Sequence, residues 1–220
     1  MSTPARSTKA RVARSFTATE LLVTIGCIVL LASFFLPALA RSKARSSRIN
    51  CNNNMKQIGL AFQSWSLDNN GHFPMQVTVA NAGTMELVSS GAVHPHFAVM
   101  SNELSTPKVL VCPMDQERNP ATNFTSDLTD GKLSYFINVD AINSDASSIL
   151  SGDRNLTTRP SPDNRLVCIT NATDIAWTKE VHSRKGNVAF SDSRVETINN
   201  GAVTTALKIV SGTTNRLAVP

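Results

Sequence analysis

Aromatic residues are scarce in this chain: one Tyr, two Trp and nine Phe among 220 residues. No stretch interleaves them with basic side chains, so the sequence holds no stacking platform for nucleic acid. The formal charge of +5 does not restore that reading, because it is unevenly placed. Residues 51–220 hold 13 basic and 15 acidic side chains, a net of −2. This region offers no global basic field, and nucleic acid is not an expected partner. Zinc signatures are missing as well. The cysteines, at 27, 51, 112 and 168, include no CxxC pair and fit no zinc spacing. His94-Pro95-His96 offers two imidazoles but reads as a surface turn, and no metal is expected. A Cys-His-Asp hydrolase built from Cys112, His182 and Asp192 has no flanking motif behind it, and turn and strand roles suffice for all three. No catalytic residue is assigned.

The longest absence is of charge. From Leu21 to Ala40 twenty residues carry none. At 1.5 Å per residue they make about 30 Å of helix, the thickness of a hydrocarbon core. Arg6, Lys9, Arg11 and Arg14 precede the run, and Arg41, Lys43, Arg45 and Arg48 follow it. With four basic residues on each flank, the positive-inside rule does not orient it. A cleaved secretory signal ending at Ala38-Leu39-Ala40 is one reading, although signal cores run only about 7 to 15 residues. An ordinary single-span anchor is another. Neither gives a use to Glu20, which stands at the head of the run.

The stretch "RSFTATELLVTI" resembles the type IV prepilin signal, in which a basic leader ends just before Phe-Thr-x-x-Glu and an apolar helix follows. The resemblance implies cleavage between Ser15 and Phe16, N-methylation of Phe16, and Glu20 as the fifth mature residue. Ser15 stands where the family usually has Gly, and Ala18-Thr19 replaces a commoner Leu-Ile. In this family the fifth-residue glutamate meets the N-terminal amine of a neighbouring subunit. That charge pairing relieves the cost of an unpaired ion near lipid. Pro37, late in the span, lacks an N–H and is expected to free the Ser33 carbonyl and kink the helix. Cys27 is expected to pack as a small hydrophobe.

The helical pattern continues beyond the span. Cys51, Met55, Ile58, Phe62 and Trp65 recur at spacings of four and three, an amphipathic stripe closed by Asp68-Asn69-Asn70-Gly71. One helix from Phe16 to about Leu67 is expected. Short runs rich in branched and aromatic residues follow: 108–112, 133–139, 147–152, 165–170, 186–190 and 194–198. The last two read as a β-hairpin. Residues 96–104 and 201–210 read as short helices, the second closing the chain, and 76–95 and 115–130 as loops. There is no internal repeat.

"CNNNMKQIGLAFQSW", "VLVCPMD" and "VHSRKGNVAFSDSRVE" are similar to landmarks of G-type pseudopilins of type II secretion and their relatives. In one such group a His is followed by a strand and an Asp-Gly turn. His182, Gly186, Asn187 and Asp192 fit that pattern, with Ser193 where Gly is usual. The resemblance implies an α+β, pilin-like fold. A basic leader (1–15), a membrane half-helix (16–40) and an amphipathic half-helix (41–70) precede a β-rich periplasmic domain (71–220). It implies a non-catalytic filament subunit in the bacterial inner membrane. The implied partners are a prepilin peptidase, further pseudopilin subunits, an inner-membrane assembly platform and membrane lipid. G-type pseudopilins bind calcium in a C-terminal loop. Asp163, Asp174 and Asp192 lie in that region without a calcium-type ligand run, so calcium stays only an open option. An oxidising periplasm favours a disulfide. Cys51 on the helix stripe and Cys112 at a strand end are the expected pair, with Cys168 buried, while Cys112–Cys168 is the alternative. The rival function is an exported enzyme or ligand-binding domain that uses residues 1–40 as signal or anchor.

Overall fold

The computed structural model describes residues 17–159, 165–169, 174–208 and 215–220. The chain divides into two compact units, one ending at Lys43 and the other beginning at Ala44. Helix α1, Ala18–Asp68, supplies residues to both. It starts at a reciprocal cap. The Thr17 backbone N–H donates to Glu20 Oε2 at 2.9 Å, and the Glu20 N–H reaches Thr17 Oγ1 at 3.3 Å. Two otherwise orphaned donors are satisfied this way. At the other end Asn70 takes a left-handed φ of 55°, and the Gly71 N–H returns to the Ser66 carbonyl at 2.8 Å. This is a Schellman-type closure in which Asn70 and the expected glycine, Gly71 at φ 78°, both take left-handed conformations.

In the first unit the helix is bare. Leu21, Leu22, Ile28, Leu31, Phe34, Phe35 and Leu39 are each more than half exposed, and Cys27 is exposed among them. Pro37 lies inside the helix. Among the described residues α1 is the helix long and apolar enough to cross a bilayer.

In the second unit the same helix is anchored. Cys51, Met55, Ile58, Phe62 and Trp65 are all buried, so the stripe faces a core. Phe62 meets Phe73 and Phe97 edge-on, with centroids 5.6 and 6.2 Å apart. Each such side chain contributes about 1.5–3 kcal/mol on burial. The core lies on a six-stranded antiparallel sheet of order β4-β8-β1-β2-β6-β7. Its strands are β1 Tyr135–Asn138, β2 Ile149–Asp153, β4 Leu166–Ile169, β6 Lys185–Phe190, β7 Val195–Asn199 and β8 Asn215–Ala218. Tyr135, Ile137, Leu150 and Ala189 belong to the helix-side core. Their neighbours Phe136, Ile149, Val188 and Phe190 belong to a second core on the opposite face. A two-stranded ribbon, β3 Leu156–Arg159 with β5 Asp174–Trp177, supplies Ile175 and Trp177 to that second core. Helix α4, Asn200–Lys208, adds Ala206. Burial on both faces explains why β1 and β2 are buried at every position instead of alternating.

The helix-on-antiparallel-sheet architecture is the expected one, and several element assignments need correction. Residues 108–112 are not a strand. Pro107 opens a 3₁₀ turn, Pro107–Leu110, that puts Val109 and Leu110 into the core. Residues 94–104 form two short helices, α2 His94–Ala98 and α3 Ser101–Leu104. Helix α4 does not close the chain, because β8 follows it and pairs between β4 and β1. The ribbon β3–β5 was not expected at all. Cys168 is exposed, not buried, because Val167 and Ile169 take the inward positions of β4.

Candidate functional site

Two places carry the residues singled out by the sequence. The first is the start of α1. Glu20 is exposed and already has a partner in its own chain, since both the N–H and the hydroxyl of Thr17 donate to its Oε2, at 2.9 and 2.8 Å. Its carboxylate thus caps the helix that carries the apolar run, a role not foreseen for a docking charge. Ser15 and Phe16 lie outside the described residues.

The second place is buried against the amphipathic part of α1. Cys51 and Cys112 form a disulfide across a sequence separation of 61, with Cα atoms 5.0 Å apart. The local sequence explains how they meet. Asn54, one turn from Cys51, donates through Nδ2 to the Val111 carbonyl at 3.0 Å. Beyond Cys112 the chain turns tightly, the Asp115 N–H returning to the Cys112 carbonyl at 2.9 Å. Asp115 is then gripped by Arg154 through two hydrogen bonds of 2.7 and 2.9 Å and by the Ser134 hydroxyl at 2.8 Å. Burial raises the Asp115 carboxyl, but Arg154 and Ser134 outweigh it and leave the group below its ordinary value. "CNNN" and "CPMD" are therefore the two jaws of one clamp.

Around the disulfide stand four more buried polar side chains. His182 Nε2 is 3.5 Å from Cys112 Sγ and 3.3 Å from Asp153 Oδ2. Asp153 Oδ1 is 3.9 Å from Cys51 Sγ, and the Tyr135 hydroxyl is 3.5 Å from that same sulfur. Asn187 organises the group. The Thr197 hydroxyl donates to its Oδ1 at 2.7 Å, which turns Nδ2 inward to Asp153 Oδ2 at 3.0 Å and His182 Nε2 at 3.2 Å. An amide nitrogen only donates, so His182 Nε2 is the acceptor. The Asn187 backbone N–H adds a 2.6 Å bond to Asp153. Burial pushes the Asp153 carboxyl up to about 7, and the Asn187 donors oppose it. Burial lowers His182 to about 4, helped by the Arg48 charge, so the imidazole is neutral at pH 7. The donor atoms of Cys51, Cys112, Asp153 and His182 all lie within 4.8 Å of one another.

The Cys112–His182–Asp192 arrangement is not formed. His182 precedes β6 and Asp192 follows it, about 20 Å of strand apart. Asp192 sits in the exposed hairpin turn, where it accepts the Arg194 N–H at 3.0 Å. The acid beside His182 is Asp153 instead. The hairpin itself pairs Ala189 with Val195, and Ser193 adopts a left-handed φ of 65° where a glycine was usual. Ser193 presses on α1 at Gly59, where a Cβ would come within 3.1 Å of its Cα. Gly186 has a packing role: a Cβ there would lie 2.5 Å from the Trp177 ring.

His94 and His96 do not converge. His94 Nδ1 is 2.9 Å from Asp130 Oδ1, whereas His96 is fully buried with Nδ1 2.7 Å from the Thr84 hydroxyl. Of the acids considered for calcium, Asp163 lies outside the described residues, Asp174 opens β5 and Asp192 holds Arg194.

Asp153 and Tyr135 were missed by sequence reasoning. Both close or open ordinary apolar runs, and only the β1–β2 register, which pairs Tyr135 with Asp153, brings them together. An acid ending "SSILSGD" carries no local sign of burial; its full enclosure by α1, β1 and β6 was the missing information.

A family model described as a protein of unknown function (DUF1559) matches residues 39–99, a little over a quarter of the chain. The matched stretch contains Cys51 and the whole buried stripe of α1. No curated protein and no solved structure matches the chain. The match and the long apolar N-terminal helix are compatible with a pilin-like protein.

Proposed function

We propose that the chain is a structural, non-catalytic subunit of a pilin-like filament. A prepilin peptidase cuts it after Ser15 and methylates Phe16. The span then holds it in the inner membrane with the β-rich domain outside, until an assembly platform packs it against other subunits. One observation carries this reading: α1 buries an apolar stripe in its domain and, in the other unit, presents an uncharged, exposed stretch on which no described residue packs. Such a surface is stable in lipid or against copies of itself, and not in water. Calcium is not required by this reading.

Glu20 does two jobs in it. Within the chain it caps α1; in the filament it meets the Phe16 amine of the next subunit. Substitution separates the two. Glu20→Gln keeps an acceptor for the Thr17 N–H and loses the charge, whereas Glu20→Ala loses both, with a cap cost of about 1 kcal/mol. Both variants should be processed and should keep a folded domain, because Glu20 is exposed and belongs to neither core. Crosslinking between subunits or filament yield, measured beside leader cleavage in the same cells, should collapse for Glu20→Ala and fall well below wild type for Glu20→Gln. Wild-type assembly by Glu20→Gln would leave the cap as the whole role of Glu20. Wild-type assembly by Glu20→Ala would remove Glu20 from the account.

A further inference from the structure

We infer that the cluster around Cys51 and Cys112 is a redox-gated site for a thiophilic divalent cation of the zinc type. The disulfide is its closed form, and the dithiol, with His182 and Asp153, is its binding form. The donor set is two sulfurs, an imidazole nitrogen and a carboxylate, a set that suits zinc. Two of its contacts already have the length of tetrahedral edges. With Zn–S bonds of about 2.3 Å and Zn–N or Zn–O bonds of about 2.0–2.1 Å, tetrahedral edges are about 3.3 Å for N–O and about 3.5 Å for S–N. The distance from His182 Nε2 to Asp153 Oδ2 is 3.3 Å, and from Cys112 Sγ to His182 Nε2 3.5 Å. Cys51 Sγ lies 3.9 Å from the other carboxylate oxygen of Asp153, Oδ1, so the carboxylate faces both His182 and the disulfide. Opening the S–S bond lets the two sulfurs separate by side-chain rotation toward a tetrahedral edge of about 3.8 Å.

The surroundings suit anionic ligands. The Tyr135 hydroxyl lies beside Cys51 Sγ, and Asn187 gives two N–H bonds to Asp153. Such outer partners orient metal ligands. A structural disulfide needs neither the imidazole nor the buried acid. Asp153 is fully enclosed beside the neutral His182, and among the described residues no Lys or Arg pairs with it. A divalent cation supplies the missing positive charge.

The redox step balances as thiol–disulfide exchange. An external dithiol gives two electrons and two protons to the Cys51–Cys112 bond and is itself oxidised to a disulfide. Cys51 and Cys112 become thiols, and metal binding then releases their two protons. The reverse exchange with an external disulfide expels the ion.

The test uses the full chain in detergent, with Cys27→Ser and Cys168→Ser removing the thiols outside the cluster, and cobalt(II) as the spectroscopic probe. Reduced, chelator-treated chain should bind one cobalt ion with tetrahedral d–d bands and a thiolate charge-transfer band, and zinc should displace it. Oxidised chain should show neither band. Reduced His182→Gln and Asp153→Asn should bind at least about 10-fold more weakly. A merely unfolded dithiol would be indifferent to those two substitutions. The oxidised–reduced comparison needs no substitution within the cluster, so it holds even where a variant fails to fold. Absence of stoichiometric binding after reduction, equal binding by the oxidised chain, or spectra unaltered by His182→Gln and Asp153→Asn would each overturn the inference.

Discussion

His96 shows what a single residue's environment adds to its sequence context. The sequence reads it as half of an exposed His-Pro-His turn, yet it is fully buried, with Nδ1 against the Thr84 hydroxyl and Nε2 without a hydrogen-bond partner among the described residues. Burial lowers its pKa to about 4, the nearby Asp130 charge opposes the shift, and His94 adds to it. The folded value is below the ordinary 6.5, so between pH 6.5 and 4 the unfolded chain binds the extra proton. The stability contributed by a neutral His96 is therefore complete above pH 6.5 and falls as pH drops toward 4. Between pH 7 and 4.5 the loss is about 2 kcal/mol. His96→Gln should shrink the pH dependence of unfolding by that amount, read by urea titration at the two pH values. Equal pH dependence in wild type and variant would show that His96 is not buried neutral. At this scale the sequence was informative where a residue sits in a spaced motif, as with Cys51, Cys112 and His182. It was silent where burial comes from distant strands, as with Asp153 and His96.

Elements were legible in proportion to how much of their pattern is local. The α1 stripe is set by 3.6-residue periodicity and was read residue for residue. The β6–β7 hairpin was equally plain, since its turn lies between two branched runs. Strands β3 and β8 carry few apolar residues and exist because a partner strand is present, so nothing local announced them. Residues 108–112 show the converse, an apolar run that tertiary packing folds as a 3₁₀ turn behind Pro107. The join between sheet and ribbon makes a prediction at this scale. Trp177, buried on the ribbon, lies on β6 where Gly186 leaves its backbone bare, and any Cβ at 186 would meet the ring at 2.5 Å. Gly186→Ala should lower the unfolding free energy by about 1–3 kcal/mol through overpacking. Chemical denaturation followed by Trp fluorescence would measure it, and an unchanged midpoint would mean that Trp177 does not pack there.

For the whole molecule, the helix-on-sheet class was legible because a charge-free run and an amphipathic stripe lie in one helix, and because β-rich text follows. The order of the strands was not, since β8 inserts from the far end of the chain between β4 and β1. The proposed function rests on the same N-terminal segment. A filament subunit keeps its apolar helix, whereas a secreted enzyme or binding domain discards it. Intact-mass analysis of the protein extracted from membranes decides between them. The filament account predicts the loss of fifteen residues, Met1 to Ser15, and the gain of one methyl group on Phe16. A mature protein that begins at Arg41, with the apolar run gone, would contradict it.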